Sequence, residues 1–219
     1  MSKGGRQVQE DLEIREKLVA VSRYLYEKGL TFSTGGNCSR RLGDDFLISK
    51  HHRAFGRLTV ADIILCDQAG TALEAGMPSD EVGLHATIYR VRPDIAAIVH
   101  VHPPFAIMLG AYRQGQRDDV LPICTCGAVT QVKKVPAVDY FRVGSPKLLE
   151  RIGEVARTAE HAIYLEKHGL ITFAADLALA GDIAEEFEQN ARIFVMTQGR
   201  VPVLTEKEVA ELRDECSKA

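Results

Sequence analysis

Apolar residues at helical spacing open the chain. Leu12, Leu18, Val19 and Leu25 define one face of a helix predicted over Val8–Lys28, and Gly29 ends it. From Thr34 to Ser49 the pattern shortens to strands and turns, with Gly43-Asp44-Asp45 marking a bend before Phe46-Leu47-Ile48. Ile63 to Cys66 reads as a further short strand. Ser79 suits an N-cap for a helix from Asp80 to about Val91, with acids in its first turn and Val82, Ala86 and Tyr89 on one stripe. Pro93-Asp94 breaks the chain, and Ile95 to Val101 is a buried strand stopped by Pro103-Pro104. A helix from Pro146 to about Glu160, strands over Ala162–Leu165 and Leu170–Phe173, a long helix over Ala178–Gln198 and a short helix from Thr205 complete the reading. Strands and helices mix without regular β-α-β alternation. That order predicts an α/β fold, a three-layer α/β/α sandwich on a largely antiparallel central sheet. Neither a repeat nor a Pro/Gly/Ser linker interrupts the 219 residues, so a single domain over 1–219 is expected.

Composition narrows the function more than the fold. A net charge of -3 gives no electrostatic reason to expect nucleic acid. No apolar run approaches the roughly 20 residues that span a bilayer, and the N-terminus lacks the apolar stretch of a signal peptide, so a cytoplasmic protein without a membrane partner is expected. The five cysteines (Cys38, Cys66, Cys124, Cys126, Cys216) form no CxxC pair and read as free thiols behaving as small buried hydrophobes. A metal site in this chain must therefore draw on imidazoles and carboxylates.

Such groups are present. In His100-Val101-His102 the period of a strand puts both imidazoles on one face, roughly 6 to 7 Å apart at their Cα atoms. That suits two ligands of one ion, and equally two half-buried histidines satisfied by neighbours. His168-Gly169 sits between two short apolar strands, its glycine permitting close approach; a lone turn histidine is also commonly structural. Glu81 lies one helical turn before His85, as a helix-dipole partner or as a carboxylate for catalysis. Three imidazoles and a carboxylate would complete a set for zinc or a similar ion. Gly35-Gly36-Asn37-Cys38-Ser39 can present backbone N–H groups to an anion, or simply make a tight turn. Lys50-His51-His52-Arg53 is either a solvated loop or a binder of carboxylate or phosphate.

Taken in order, these segments resemble the class II aldolase/adducin family over roughly Leu12 to Thr205. The resemblance rests on Thr34-Gly35-Gly36-Asn37-Cys38-Ser39, Met77-Pro78-Ser79-Asp80-Glu81, His100-Val101-His102-Pro103 and Lys167-His168-Gly169-Leu170. It implies that His100, His102 and His168 bind the metal. Glu81 matches the carboxylate that ligates the metal or carries a proton. One divalent ion per chain is implied, zinc first, with manganese, cobalt or iron as alternatives. Asn37, Ser39, Ser79 and Asp80 fall at the substrate contacts that the resemblance implies, and His52 and Arg53 of the basic loop are further candidate contacts. The family's enzymes are commonly homotetramers with active sites at subunit interfaces.

The departures from the family pattern bear on substrate. Lys50-His51-His52-Arg53 replaces an expected Thr-Gly pair, and Asp80 stands where sugar-phosphate members carry a second serine. The stretch Pro122–Gly127 lacks the tyrosine that aldolases of this family lend across a subunit interface; Tyr140 is a candidate replacement. The resemblance thus implies a divalent-metal-dependent carbon–carbon lyase, a decarboxylase or an aldolase. It would act through a metal-stabilised enolate on a small, carboxylated, non-phosphorylated substrate. The alternatives are a sugar-phosphate aldolase or epimerase and a non-catalytic, adducin-like binding module. Because histidines ligate only when neutral, activity should fall in mild acid.

Overall fold

The computed structural model describes residues 3–216, with side chains described for residues 9–215. Helix α1 (Lys3–Glu27) leads into a hairpin of β1 (Asn37–Leu42) and β2 (Asp45–Ser49), and β3 (Ile63–Cys66) follows two short 3-10 turns. Next come α2 (Val82–Val91), β4 (Ala97–Val101) and α3 (Pro104–Tyr112). A π-helical turn at Ala128–Val132 precedes β5 (Ala137–Val138) and α4 (Pro146–Ala156). The chain ends with β6 (Ala162–Leu165), β7 (Gly169–Ala174), α5 (Leu177–Met196) and α6 (Glu206–Cys216).

The strands form one sheet in the order β3-β2-β1-β4-β7-β6-β5. Every pairing is antiparallel except that of β5 with β6. Alternate residues feed two separate cores. Ala97, Val99 and Val101 of β4 join Leu18 and Leu25 of α1 and Ile183 and Phe187 of α5 on one face. Ile98 joins Leu84 and Ile88 of α2 and Ile152 of α4 on the other. The strand period of two is therefore what makes three layers from one sheet. Among the described residues no helix is long and apolar enough to cross a membrane.

Three expectations need correction. Helix α2 begins at Val82 with Glu81 as its N-cap, not at Asp80 behind a capping Ser79. The Val82 N–H bonds the Ser79 carbonyl and the Ser79 hydroxyl accepts the Glu81 N–H, so a turn occupies the predicted first turn and the helix has no acid there. The Pro103-Pro104 pair stops β4 but also starts α3, because a proline at the first helical position has no N–H to leave unpaired. Cys126 is exposed rather than a buried hydrophobe, while Cys38 and Cys66 are buried. Burial pushes the thiols of Cys38 and Cys66 up to about 12, which makes them inert. The side chain of Cys216 lies outside the described residues.

Candidate metal centre

The fold draws four side chains from three places to one point at the end of the sheet. His100 sits on β4, whose neighbours are β1 and β7, with Asn37 as its register partner on β1. His102 follows directly where β4 ends. His168 is held in the short turn between β6 and β7, where its N–H bonds the Leu165 carbonyl and Lys167 adopts a left-handed φ of 59°. Glu81 arrives from above as the N-cap of α2. Close approach demands glycine here. A Cβ on Gly169 would lie 2.4 Å from the Val101 carbonyl oxygen and 2.8 Å from His102 Cδ2. Gly36 has a φ of 80°, and a Cβ on it would meet the His100 carbonyl oxygen at 2.8 Å.

The three imidazoles aim the same atom inward. His100 Nε2 lies 3.0 Å from His102 Nε2 and 3.3 Å from His168 Nε2. Glu81 Oε2 is 3.2 Å from His100 Nε2, and its Oε1 is 3.4 Å from His168 Nε2. The Leu170 carbonyl can only accept, so His100 donates to it from Nδ1 at 3.0 Å, and the neutral ring keeps its lone pair on Nε2. Lone pairs converging in this way repel one another unless a cation, or a proton on His100 Nε2, lies between them. Separations of 3.0–3.4 Å are the spacing expected between donors bound at about 2.0–2.1 Å to one ion. Buried Oε1 of Glu81 also lacks a hydrogen-bond partner among the described residues. The donor set fits a divalent metal.

Electrostatics agrees. Burial opposes charge on Glu81, but the facing His100, then His168, and the amide of Asn37 outweigh it and hold the carboxyl far below its ordinary value. Burial pushes His102 down to about 3 and His168 to about 4, each reinforced by the neighbouring imidazoles. His100 moves the other way: complete burial alone would lower it, yet the Glu81 carboxylate raises it. The metal-free cluster thus favours one positive charge at its centre.

Behind the cluster runs a buried chain of hydrogen bonds. Asn37 Nδ2 donates to Glu81 Oε2 at 2.7 Å, Asn37 Oδ1 meets His85 Nε2, and His85 Nδ1 lies 2.7 Å from Ser39 Oγ. Ser39 Oγ is in turn 2.8 Å from the Tyr89 hydroxyl. Ser39 is fully buried with its hydroxyl committed to His85 and Tyr89, which corrects its expected role as a substrate contact. Asn37 is likewise buried and holds Glu81. His85 and Tyr89 were visible in the sequence only as a neighbour of Glu81 and a stripe residue. Burial pushes His85 down to about 3.

The Lys50–Arg53 loop borders this centre through its backbone. His51 N–H bonds the Met77 carbonyl and Ser79 N–H bonds the Ser49 carbonyl, two residues before Glu81. His51 stacks on His52 with ring centroids 3.7 Å apart and lies 2.9 Å from Asp80. His52 takes a left-handed φ of 50°. Arg53 pairs with Asp62 at 3.1 Å instead of turning to the cluster. Tyr140 is exposed on the loop after β5.

Comparison with known proteins settles the family. The model of the Class II Aldolase and Adducin N-terminal domain matches residues 16–195. This chain belongs to the class II aldolase and adducin family. It is 33% identical over 206 residues to 3-oxo-tetronate 4-phosphate decarboxylase of Haemophilus influenzae, covering 93% of this chain and 98% of that one. It is 32% identical over 177 residues to L-fuculose phosphate aldolase of Methanococcus maripaludis, covering 81% and 93%. The solved structure of YgbL from Klebsiella pneumoniae superposes with a TM-score of 0.87 at 26% identity, over 92% and 98% of the two chains. The aldolase-family relatives support a lyase, and the sandwich on a mostly antiparallel sheet is shared with them.

A pH dependence follows for this family member when stripped of metal. The histidines at about 3, 3 and 4 (His85, His102, His168) stay neutral in the fold, whereas unfolded histidine takes a proton near pH 6.5. Below that pH the unfolded chain binds more protons, so stability must fall as pH falls, by about 1.4 kcal/mol per unit for each such group. His100, raised by Glu81, works against this and reduces the slope. Between pH 6.5 and 5 the loss should lie between about 1.7 kcal/mol, for His85 alone, and about 5 for all three, less the part that His100 offsets. Urea titrations in the presence of EDTA measure it; a stability that is flat over this interval would contradict the neutral assignments.

Proposed function

We propose that the chain is a zinc-dependent decarboxylase of a small, non-phosphorylated 3-oxo acid, with His100, His102 and His168 holding the ion and Glu81 as its fourth donor and proton carrier. The convergence of three Nε2 atoms beside a buried carboxylate oxygen without a partner carries this reading. Decarboxylation is favoured because the Haemophilus influenzae relative is named for it. When bound, the ion supplies Lewis-acid stabilisation of the negative charge that develops on a substrate oxygen as the adjacent carbon–carbon bond breaks. The protein does the rest. The rigid ends of β4 and the β6–β7 turn fix the three imidazoles, so no reorganisation accompanies charge development. Glu81, set at the helix cap, delivers or removes the proton at carbon from Oε1.

Substrate size and charge are read from the loop beside Glu81. Asp80 is well exposed and pairs with His51, and a negative charge on this loop would disfavour a phosphate dianion, in contrast to the phosphorylated substrates for which the relatives are named. His51, His52, Ser79 and the exposed Lys50 then suit a single carboxylate. We propose further that the enzyme works in the cytoplasm, and that it is a homotetramer with sites at subunit interfaces, the latter as the family resemblance implies.

Release of carbon dioxide from matched 3-oxo acids, with and without a terminal phosphate, tests the reading in zinc, manganese and cobalt. Carbon dioxide from the non-phosphorylated acids is expected. Aldehyde from ketose phosphates without carbon dioxide would overturn it in favour of the second reading, aldol cleavage, which the likeness to the Methanococcus maripaludis aldolase supports.

A further inference from the structure

The hydrogen bonds behind Glu81 have only one consistent direction. Asn37 Nδ2 lies 2.7 Å from Glu81 Oε2 and donates to it, so the amide turns its NH2 group toward the carboxyl. Asn37 Oδ1 then faces His85 Nε2, and an amide oxygen accepts only, so Nε2 carries the proton. A neutral ring with its proton on Nε2 has a bare Nδ1. The Ser39 hydroxyl must therefore donate to it, which leaves Ser39 Oγ to accept from the Tyr89 hydroxyl. Donors and acceptors alternate from Tyr89 to Glu81, and the Tyr89 hydroxyl has a second, longer acceptor in the Ala96 carbonyl at 3.4 Å. Asn37, Ser39, His85 and Tyr89 are all at most 4% exposed, so water does not substitute for any link.

We infer that His85, Ser39 and Tyr89 are positioning residues that fix the orientation of the Asn37 amide and, through it, decide which oxygen of Glu81 is free to react. Asn37 is nearly symmetric in shape, so its polar partners, Glu81 and His85, are what distinguish its oxygen from its nitrogen. If it turned over, its oxygen would face the carboxylate and its NH2 group would face the Nε2–H of His85. Both contacts would become repulsive. The turn is opposed on one side by the Glu81 carboxyl and on the other by the Nε2–H of His85, whose bare Nδ1 accepts from Ser39. The result is a carboxylate whose Oε2 is tethered and whose Oε1 is left without a hydrogen bond beside His168. A second-layer histidine thereby assigns the chemistry of an oxygen it does not touch.

The inference rests on the metal-centre reading, and a double-mutant cycle on zinc affinity tests it apart from catalysis. Zinc binding to the full metal-free chain is followed by calorimetry. His85→Leu should weaken binding about 10- to 100-fold. His85→Gln, whose amide nitrogen can replace the Nε2 donor, should restore it to within about threefold of wild type. In an Asn37→Ala background His85→Leu should cost less than about threefold, because the effect passes through Asn37. Equal costs in both backgrounds, or no cost at all in a folded His85→Leu, would overturn the proposal. Should His85→Leu fail to fold, Ser39→Ala enters the same cycle and must show the same non-additivity with Asn37→Ala. Nitrogen NMR of the metal-free chain gives a reading that needs no zinc, with the His85 signals assigned by their loss in His85→Gln. A proton on His85 Nε2 is expected. A proton on Nδ1 overturns the relay whether or not zinc binds, whereas a chain with this tautomer that takes up no zinc overturns the metal-centre reading alone.

Discussion

His102→Ala is expected to reduce the bound ion from about one per chain to less than about a tenth, and to lower turnover about a thousandfold or more. The reason is geometric. His102 Nε2 stands 3.0 Å from His100 Nε2, and removing it leaves two imidazoles and one carboxylate, a set that opens half of the ion to water. Loss of Lewis-acid assistance worth about 4 kcal/mol corresponds to the thousandfold figure. The fold should survive, because His102 follows the end of β4 rather than lying within its ladder. Elemental analysis of wild type and variant, with thermal unfolding of the metal-free forms as control, measures both parts. A variant that retains a full equivalent of ion would remove His102 from the ligand set. Wild type that holds no ion and takes none up would remove the metal centre, and the chain would then be better read as a binding module.

Much of this centre is legible from residue spacing because its geometry is local to single elements. Two imidazoles at i and i+2 on an apolar strand share a face by the pleat alone, and the structure keeps them 3.0 Å apart at Nε2. That His168 joins them depends on β7 pairing with β4, a contact between residues some seventy positions apart. Spacing does not encode it, so residue types alone offer His168 as a possible member of the set and the resemblance to a family assigns it there. Ser39 shows the converse failure. It shares a strand face with Asn37 and looked equally available, but the register of β1 carries it under α2, where Tyr89 and His85 close over it. The start of α2 was misread for a related reason. Ser79 has the right chemistry for an N-cap, yet its hydroxyl meets the N–H of Glu81 within a turn, and the helix begins only after the carboxylate that the site requires at its tip. Helix α3 was hidden because a Pro-Pro pair marks a strand stop and a helix start with the same residues.

Glu81→Gln separates the two roles of the carboxylate. Glutamine keeps the shape and one oxygen but carries no charge and no titratable proton. If Glu81 acts chiefly as a proton carrier through Oε1, turnover should fall about 10²- to 10⁴-fold even when the metal is saturating. The three histidines would still hold the ion, with affinity weakened by about tenfold for the lost charge. The proposed function expects this split, with Oε2 committed to Asn37 and Oε1 the buried oxygen without a hydrogen-bond partner among the described residues. The carboxyl is held far below its ordinary value, so it enters the cycle ionised at neutral pH and can only take a proton before it gives one. In a decarboxylase that would require the proton to come first from the substrate or from water. Carbon dioxide release measured against rising zinc concentration distinguishes the roles. Turnover that stays low at every zinc concentration supports proton transfer, and turnover that returns to near the wild-type rate once zinc is saturating would make Glu81 a ligand and nothing more.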